Sequence, residues 1–241
     1  MTAQAFNERI TGALDEIVYS RVETDEDMRE IEKLRLKAYG THGKLALAPK
    51  GVIDDMDFDD HAYVFALYHR DRLASTVRIQ HVEPGHRVSH CGKAFPNEVN
   101  EMLDAGQTII DPAKFAVDPD LAAEMGWLPY LTLRPSIVAA ARFRADRVLQ
   151  FCVPEHAAFY RRVFQASVVV PPRDYDGYGV PVTLLSTDVI RTGRRLLTRY
   201  PFFKSTVREQ IEMFERPASA QFIAPTALFV PHGEFGTDLP L

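Results

Sequence analysis

The sequence predicts an α/β fold in which a mixed sheet carries helices on both faces and a helical extension follows at the C-terminus. Two β-rich runs, Tyr63–Tyr68 and Leu73–Val82, lie close together in the chain, which is typical of a β-hairpin. A further strand pattern, 108–117, is interrupted by Pro112, which favours a bulge or a bend over regular pairing. Helix and strand patterns alternate after it, as expected for strands that helices cover.

The segment before the hairpin predicts a helix, a strand, a second helix and a loop. Apolar residues at helical spacing indicate an amphipathic helix over Phe6–Val18, and 17–22 alternates like a short strand. Thr24, followed by three acidic residues, is a good N-cap for the second helix, and Gly40 is expected to end that helix. Residues 41–60 contain glycine, proline and many acidic residues, which favours a loop.

The segment after the hairpin is interpreted by the same rules. Residues 85–96 are typical of a loop, and a long helical pattern over about 119–144 is expected to break near Pro129 or Pro135. The other expected elements, in chain order, are a short helix over 96–106, a strand over 147–153, a helix over 156–164, strands over 167–172 and 180–186, helices over Thr187–Arg199 and Phe202–Phe214, and a proline-rich tail.

Composition and charge exclude several classes of protein. Of the 241 residues, 46% are hydrophobic and 25% are charged, which excludes disordered and collagen-like chains. A net charge of -5 argues against a dedicated nucleic-acid-binding protein, which would carry a basic surface. No apolar run is long enough to span a membrane, and the N-terminus lacks the apolar segment of a signal peptide. We therefore expect a cytoplasmic protein with at most peripheral membrane contact.

The cysteine and histidine residues predict neither a redox pair nor a metal site. Cys91 lies in a stretch with His81, His86 and His90 whose spacing matches no common zinc arrangement, so a polar loop is expected. Cys152 lies in an apolar strand and is expected to be a buried small hydrophobic residue. We expect no bound cofactor.

Several phrases of the sequence resemble the GNAT acyltransferase superfamily. They are LRLKAYG, DDMDFDDHAYVFAL, ASTVRIQ, IIDPAKFAVDP and CVPEHAAFYRRVFQA, and their order spans roughly residues 18–189. Within the superfamily they are most similar to the N-acyl amino acid synthases and the acyl-homoserine-lactone synthases. The resemblance implies a GNAT-like domain over 1–189 with a mixed, mostly antiparallel sheet, followed by a helical extension and tail over 190–241.

The resemblance also implies a binding site for an amino acid acceptor. An arginine followed four residues later by an aromatic residue is matched by Arg35 and Tyr39, an acidic D-x-x-D element by Asp57 and Asp60, and a strand arginine by Arg78. Two carboxylates and two guanidinium groups can bind both ends of a zwitterionic amino acid. The alternative is a solvated acidic loop beside two structural arginines.

Catalytic residues follow from the same comparison. Asp111 and Lys114, three residues apart, would position or deprotonate the amine, or else form a local ion pair. Tyr160 resembles the tyrosine with which many GNAT enzymes protonate the departing thiol, the alternative being one more buried aromatic residue. The bulged strand would present a backbone amide to the thioester carbonyl from one of three residues: Phe115, Ala116 or Val117.

The donor is expected to be an acyl group carried by acyl carrier protein. Ordinary GNAT enzymes bind coenzyme A with a glycine-rich loop at a helix N-terminus, but the matching stretch here has the single glycine Gly126. The resemblance implies transfer of a fatty acyl group from the carrier thioester to an amino acid amine, and the missing glycine-rich loop favours the carrier over coenzyme A. Three alternatives remain: an acetyltransferase that uses acyl-CoA as donor, a catalytically silent module that binds an acyl ligand or a partner, and a lactone synthase that differs in acceptor.

The distribution of charge suggests where the carrier docks. Residues 1–60 carry a net charge of -6, whereas 134–208 carry +8. An acidic carrier protein would be steered by a positive stripe, the alternative being a solvated basic face. The stripe consists of Arg191, Arg194, Arg195 and Arg199, continued by Lys204 and Arg208, with Ile190, Leu196, Leu197, Phe203 and Val207 expected to pack inward.

Overall fold

A computed structural model describes residues 2–41, 51–175, 179–215 and 222–223. Its centre is one sheet with the strand order β6-β7-β5-β4-β3-β2-β1-β8, in which β4 and β5 are parallel and the other neighbours are antiparallel. The predicted mixed, mostly antiparallel sheet is thus confirmed. The strands are β1 Ile17–Arg21, β2 Ala62–His69, β3 Arg72–Val82, β4 Ile109–Val117, β5 Arg147–Cys152, β6 Ser167–Arg173, β7 Val182–Asp188 and β8 Phe222–Ile223.

Helices cover both faces of this sheet, as predicted. On β2, Val64 and Ala66 pack in a cluster with the helix α2 (Asp25–Thr41), whereas Phe65 and Leu67 point to the opposite face, where α1 (Ala3–Leu14) and α6 (Leu128–Arg142) lie. The helices are α1 Ala3–Leu14, α2 Asp25–Thr41, α3 His90–Ala94, α4 Pro96–Asp104, α5 Pro119–Ala122, α6 Leu128–Arg142, α7 Pro154–Val163, α8 Val189–Arg199 and α9 Val207–Phe214, with 3-10 turns at Asp55–Phe58 and Pro201–Phe203.

The hairpin and the second helix begin as the sequence predicts. The β2–β3 turn has Arg70 and Asp71 at φ 47° and 61°, the backbone of a tight two-residue hairpin loop. Thr24 caps α2 because its Oγ1 accepts a hydrogen bond from the Asp27 amide at 3.1 Å. Gly40 does not end that helix, which continues to Thr41.

The bulge in β4 lies further along the strand than the sequence suggests. Pro112 keeps a regular partner in Ile79, whereas the register with β3 shifts between Ala113 and Ala116. Lys114, inside the shift, has a φ of 53°, a left-handed conformation that a residue with a side chain rarely adopts. The prediction that Pro112 causes the bulge is therefore wrong, because a proline is compatible with its place in β4 while the extra residue is accommodated at Lys114.

β4 and β5 pair over only two residues and then separate. Ile109 pairs with Arg147 and Ile110 with Val148, and no further β4–β5 pair is present in the described strands. Beyond that point β4 pairs with β3 alone and β5 with β7 alone. The separation opens the middle of the sheet, and the candidate site lies there.

The expected break in the long helical pattern occurs at one of the two predicted prolines. The pattern is interrupted just before Pro129, between α5 and α6, whereas Pro135 is accommodated inside α6 without a break. The loop expected over 85–96 needs correction. Residues 85–96 are not only a loop, because α3 forms at His90–Ala94 with Ser89 as its N-cap.

The segment from α8 to α9 packs on the face of the sheet that carries α6. Arg134 of α6 and Glu209 of α9 form a fully buried ion pair whose N–O distances are 2.5 and 3.0 Å. Leu196 and Phe203 are buried as expected, but Ile190 and Val207 are exposed, so the inward face of these helices is narrower than predicted. The boundary at residue 189 remains a prediction, and most of the expected tail lies outside the described residues.

Candidate active site

A cavity of about 440 Å³ fills the opening between β4 and β5. Tyr39 of α2 and His90 of α3 line it from one face of the sheet, and Leu133 of α6 and Tyr160 of α7 line it from the other. The bulged part of β4, Pro112–Val117, and most of β5 form its sides. Most of these side chains are apolar, so the opening suits an apolar chain that ends among a few polar groups.

A cluster of buried charges lies beside this cavity on the face of α2. Arg35 and Arg78 are completely buried; Arg35 binds Asp57 at 3.0 Å, and Arg78 binds Asp54 at 2.7 Å. Lys114 completes the cluster, with its Nζ 3.0 Å from Asp54 and 2.9 Å from the Gly51 carbonyl. Lys114 also lines the cavity, so it connects the buried charges to the open space.

The cluster has more positive than negative charge. Three cations face the two carboxylates of Asp54 and Asp57, and within the described ranges Nε and Nη2 of both Arg35 and Arg78 are buried without a hydrogen-bond partner. Buried donors of this kind are normally satisfied by a protein group, water or a ligand. The arrangement therefore favours an anionic group nearby.

The local fields change the protonation of the groups around the cluster. Burial opposes the charge of Asp54, but Arg78 and Lys114 outweigh it and lower the pKa of that carboxyl below its usual range. Burial lowers the pKa of Lys114, while Asp54 raises it. Burial also raises the pKa of Tyr39 to about 12, so its phenol stays neutral beside the cavity.

The two carboxylates in the cluster are Asp54 and Asp57, whereas the resemblance pointed to Asp57 and Asp60. Asp57 is in the cluster, but Asp60 is exposed, and its partner in the site is instead Asp54. Asp54 and Asp57 are held by a capping box on the 3-10 turn Asp55–Phe58, in which each carboxylate accepts from a backbone amide. Sequence reasoning missed Asp54 because DDMDFDD contains two pairs with the same spacing.

Asp111 lies in the regular part of β4 and Lys114 in the bulge, and the two side chains bind different partners. Asp111 is fully buried and accepts hydrogen bonds from the Cys91 amide at 2.8 Å and from Cys91 Sγ at 3.0 Å. It does not line the cavity, whereas His90 does. The catalytic role given to Asp111 therefore stays a prediction that needs an intermediary to reach a substrate.

Tyr160 lines the cavity from α7, with Cys152 of β5 close to it. Burial raises the pKa of the phenol well above its usual value, so Tyr160 stays protonated at neutral pH. Burial also raises the pKa of the Cys152 thiol to about 12, which makes that thiol a poor nucleophile. His156, one helical turn before Tyr160, lines the cavity as well and was not singled out in the sequence.

The bulge distinguishes among the three residues expected to offer a backbone amide. Ala116 and Val117 pair with Thr76 and Ser75, whereas Phe115 lies within the shifted register and beside the cavity. Of the three residues, Phe115 is thus the one without a pairing partner in β3. The oxyanion role itself stays a prediction.

The predicted arginine stripe lies on the outer face of α8. Its members Arg191, Arg194, Arg195 and Arg199 are exposed, while Thr192, Gly193 and Leu196 face the core. The Arg199 end lies near the start of α6: Arg199 stacks over the Tyr200 ring at 5.3 Å, and the Tyr200 ring lies 6.3 Å from that of Tyr130.

Neither a metal centre nor a membrane span is found in the described ranges. There, no group of three or more His, Cys, Asp and Glu side chains could hold a metal ion. The same stretches contain no helix with the length and apolar character needed to cross a membrane.

Comparisons with known proteins agree with this architecture. The model of the family described as N-acyl amino acid synthase FeeM matches residues 30–188, about two thirds of the chain. A search of curated protein sequences found no significant match.

Three solved structures illustrate the likeness in fold. FeeM, an N-acyl amino acid synthase from uncultured soil microbes, has 15% sequence identity and a TM-score of 0.60, and the match covers 76% of this chain and 96% of FeeM. TofI, in a ternary complex with an inhibitor and MTA, has 14% identity, a TM-score of 0.53 and coverages of 77% and 96%. An acyl-CoA N-acyltransferase from Pseudomonas aeruginosa has 16% identity, a TM-score of 0.50 and coverages of 70% and 98%.

Proposed function

Because the chain belongs to the family of the N-acyl amino acid synthase FeeM and is an N-acyltransferase, we propose that it transfers a fatty acyl group from the thioester of acyl carrier protein to the amine of an amino acid. The observation that carries this proposal is the largely apolar cavity between β4 and β5, with Tyr160 on one side and Lys114 on the other. The cavity is large enough for an acyl chain, and its few polar groups are available to act on a thioester and an amine bound there.

The donor half of the site is assigned to α7 and the bulge. Tyr160 keeps its proton at neutral pH and can give it, or a hydrogen bond, to the leaving thiolate. The backbone at Phe115 is the candidate donor to the developing oxyanion. These two groups stabilise the charges that appear when the C–N bond forms and the C–S bond breaks.

The acceptor half is assigned to the charged cluster. An amino acid carries a carboxylate, and the excess positive charge of Arg35, Arg78 and Lys114 favours it. Lys114 and Tyr39 line the cavity and would contact the acceptor, while Arg35 and Arg78 act from behind as buried charges. Arg35 and Arg78 would not contact the acceptor carboxylate directly, because both side chains are inaccessible.

The acyl carrier protein is assigned to the stripe on α8. Four exposed arginines on one helix face suit an acidic partner, and the Arg199 end is the one beside the cavity-lining end of α6. The connection between α5 and α6 has the single glycine Gly126 and a proline in the first turn of α6, which supports a carrier-bound donor over free coenzyme A.

Product analysis with matched donors tests the proposal. The purified protein is incubated with a mixture of amino acids and the same fatty acyl group on acyl carrier protein or on coenzyme A, and the products are identified by mass spectrometry. We expect an N-acyl amino acid that forms faster from the carrier thioester. Thiol release from acetyl-CoA at a higher rate would favour an acetyltransferase, and acyl binding without any turnover would favour a silent module.

A further inference from the structure

His90 is a polar residue of the cavity that the proposed reaction has not yet used. It begins α3, lines the cavity, and its ring meets Phe151 edge-on at 4.8 Å between centroids. We propose that His90 is the general base that takes the proton from the acceptor nitrogen, and that the buried Asp111 positions its imidazole. This inference rests on the proposed aminolysis and adds the group that this reaction lacks.

The position of His90 in the fold suits that role. Tyr160 lines the cavity from the face that carries α6, and His90 lines it from the opposite face, which also carries Tyr39 and Lys114. An amine bound beside Lys114 would therefore meet the thioester carbon with His90 on its own side and Tyr160 on the side of the leaving thiol. The base and the acid act on different atoms from opposite faces of the sheet.

Asp111 is held in a way that suits a positioning residue. Both of its carboxylate oxygens accept hydrogen bonds from Cys91, which fixes the carboxylate directly beneath the start of α3. Asp111 is fully buried and outside the cavity lining, so it acts on substrate only through another group. His90 precedes Cys91 in the chain, and its protonation responds to the charge of Asp111.

The surroundings keep His90 neutral at working pH. Burial lowers the pKa of His90 to about 4; Asp111 on β4 opposes that shift, and Arg78 on β3 adds to it. The more distant charges of Lys114 and Asp54 also act on the ring, the first lowering and the second raising its pKa. A neutral imidazole can accept a proton at its unprotonated ring nitrogen.

The proposed step moves one proton from the amine and one to the thiol. The amine attacks the thioester carbon, and the nitrogen of the tetrahedral intermediate carries an extra proton, which passes to the imidazole of His90. The C–S bond breaks, and the thiolate takes a proton from Tyr160. The proton on His90 returns through solvent to the Tyr160 phenolate, so an amide and a thiol are formed with no net proton change.

Two acceptors of different basicity test His90. The His90→Gln variant is compared with the wild type and with His81→Gln, a histidine outside the cavity lining, using an acyl N-acetylcysteamine thioester with an amino acid or with hydroxylamine. With the amino acid, His90→Gln should lower kcat by about 10²–10⁴-fold and leave the donor KM and the melting temperature nearly unchanged. With hydroxylamine the loss should be less than about tenfold, because the weakly basic nitrogen gives its proton readily to water.

The outcomes separate the inference from the function that it rests on. Equal losses with both acceptors, or no loss with either, would overturn the role of His90. A wild type that forms the hydroxamate but no N-acyl amino acid would overturn the proposed acceptor. A simple alkylamine then takes the place of the amino acid in the same comparison, and a His90→Gln loss below about tenfold with that amine would overturn the role of His90. If no amine reacts, both proposals are wrong.

The positioning role of Asp111 has its own spectroscopic test. In Asp111→Asn the carboxylate charge is lost and the side-chain shape is kept, so the pKa of His90 should fall further. The ring signals of His90, assigned by their loss in His90→Gln, should shift in the variant, and kcat for the amino acid should fall at least tenfold with the donor KM unchanged. Unchanged His90 signals and an unchanged kcat would show that Asp111 serves the fold alone.

Discussion

Replacing Tyr160 by phenylalanine removes one oxygen atom and little else. The ring lies against Phe159 and Phe164, with centroids 5.3 and 6.1 Å away, and phenylalanine keeps both contacts. Burial and the nearby Cys152 thiol are the influences on the phenol, and no hydrogen-bond partner contributes to its pKa. The free energy of unfolding should therefore change by about 1 kcal/mol or less, a shift of roughly 2–4 °C in Tm.

The catalytic effect of the same change should be far larger. Loss of a general acid commonly costs about 10²–10⁴-fold in rate, which corresponds to roughly 3–5 kcal/mol of transition-state free energy. We expect kcat to fall by that factor in an assay that follows thiol release from an acyl thioester, with the donor KM nearly unchanged. Tyr63→Phe, at a half-buried tyrosine outside the cavity lining, is the matched control. A Tyr160→Phe variant within threefold of the wild type would assign Tyr160 to the core alone.

Three other changes probe carrier docking, the C-terminal helices and the charged cluster. Reversing Arg194 and Arg195 to glutamate should slow turnover with acyl carrier protein several-fold and reduce its salt sensitivity, with no effect on a carrier-free thioester. Glu209→Ala leaves the buried Arg134 charge unpaired, so calorimetry should show a loss of about 3–5 kcal/mol, or roughly 6–20 °C in Tm. The lowered pKa of Asp54 stabilises the fold above about pH 4, and this contribution disappears as the pH falls. Asp54→Asn lacks the contribution, so its free energy of unfolding should change less between neutral and acid pH than that of the wild type.

Each of these changes has a control and a result that would contradict it. Arg144→Glu, compared with the single reversal Arg194→Glu, places an equal change of charge at an exposed arginine away from α8, and an equal salt effect there would argue against a docking surface on α8. Glu212→Ala removes a carboxylate on α9 that pairs with the exposed Arg208, so it should cost much less than Glu209→Ala. Parallel acid melting curves for the wild type and Asp54→Asn would show that Asp54 is not depressed in the folded state.

Local sequence patterns were sufficient to predict most of the strands of the sheet. The two β-rich runs predicted the hairpin because alternation and a short connection determine such a pairing without help from the rest of the chain. The bulge was predicted in β4 but at Pro112, because proline is the visible interruption in the sequence. The actual shift at Lys114 depends on a side chain that reaches Asp54 and Gly51, which are about sixty residues earlier.

The composition of the charged cluster was also only partly predictable from the sequence. Arg35 and Arg78 were singled out and do lie together, since both contact the Asp57 carboxylate, at 3.0 and 3.4 Å. Spacing alone could not decide between Asp54 and Asp60 as the partner of Asp57, since each lies three residues away. The capping box selects Asp54 by directing both carboxylates toward the backbone of one short turn. The sequence placed His90 in a polar loop and gave it no catalytic role, because a five-residue helix has too few positions to show a periodic pattern.

Lys114 explains why the cavity and the charged cluster occur together. A non-glycine residue at positive φ costs on the order of 1–3 kcal/mol, so the conformation persists only where other contacts hold it. Here its amine is held by Asp54 and by the Gly51 carbonyl, and the strained backbone lies in β4 just past the point where β5 separates. The same residue therefore places a cation at the wall of the cavity, holds the acidic turn against α2, and displaces the backbone at Phe115 from the ladder. Because one bulged residue connects the acceptor charges to the donor opening, strain at this position is better explained by the requirements of the site than by those of the sheet.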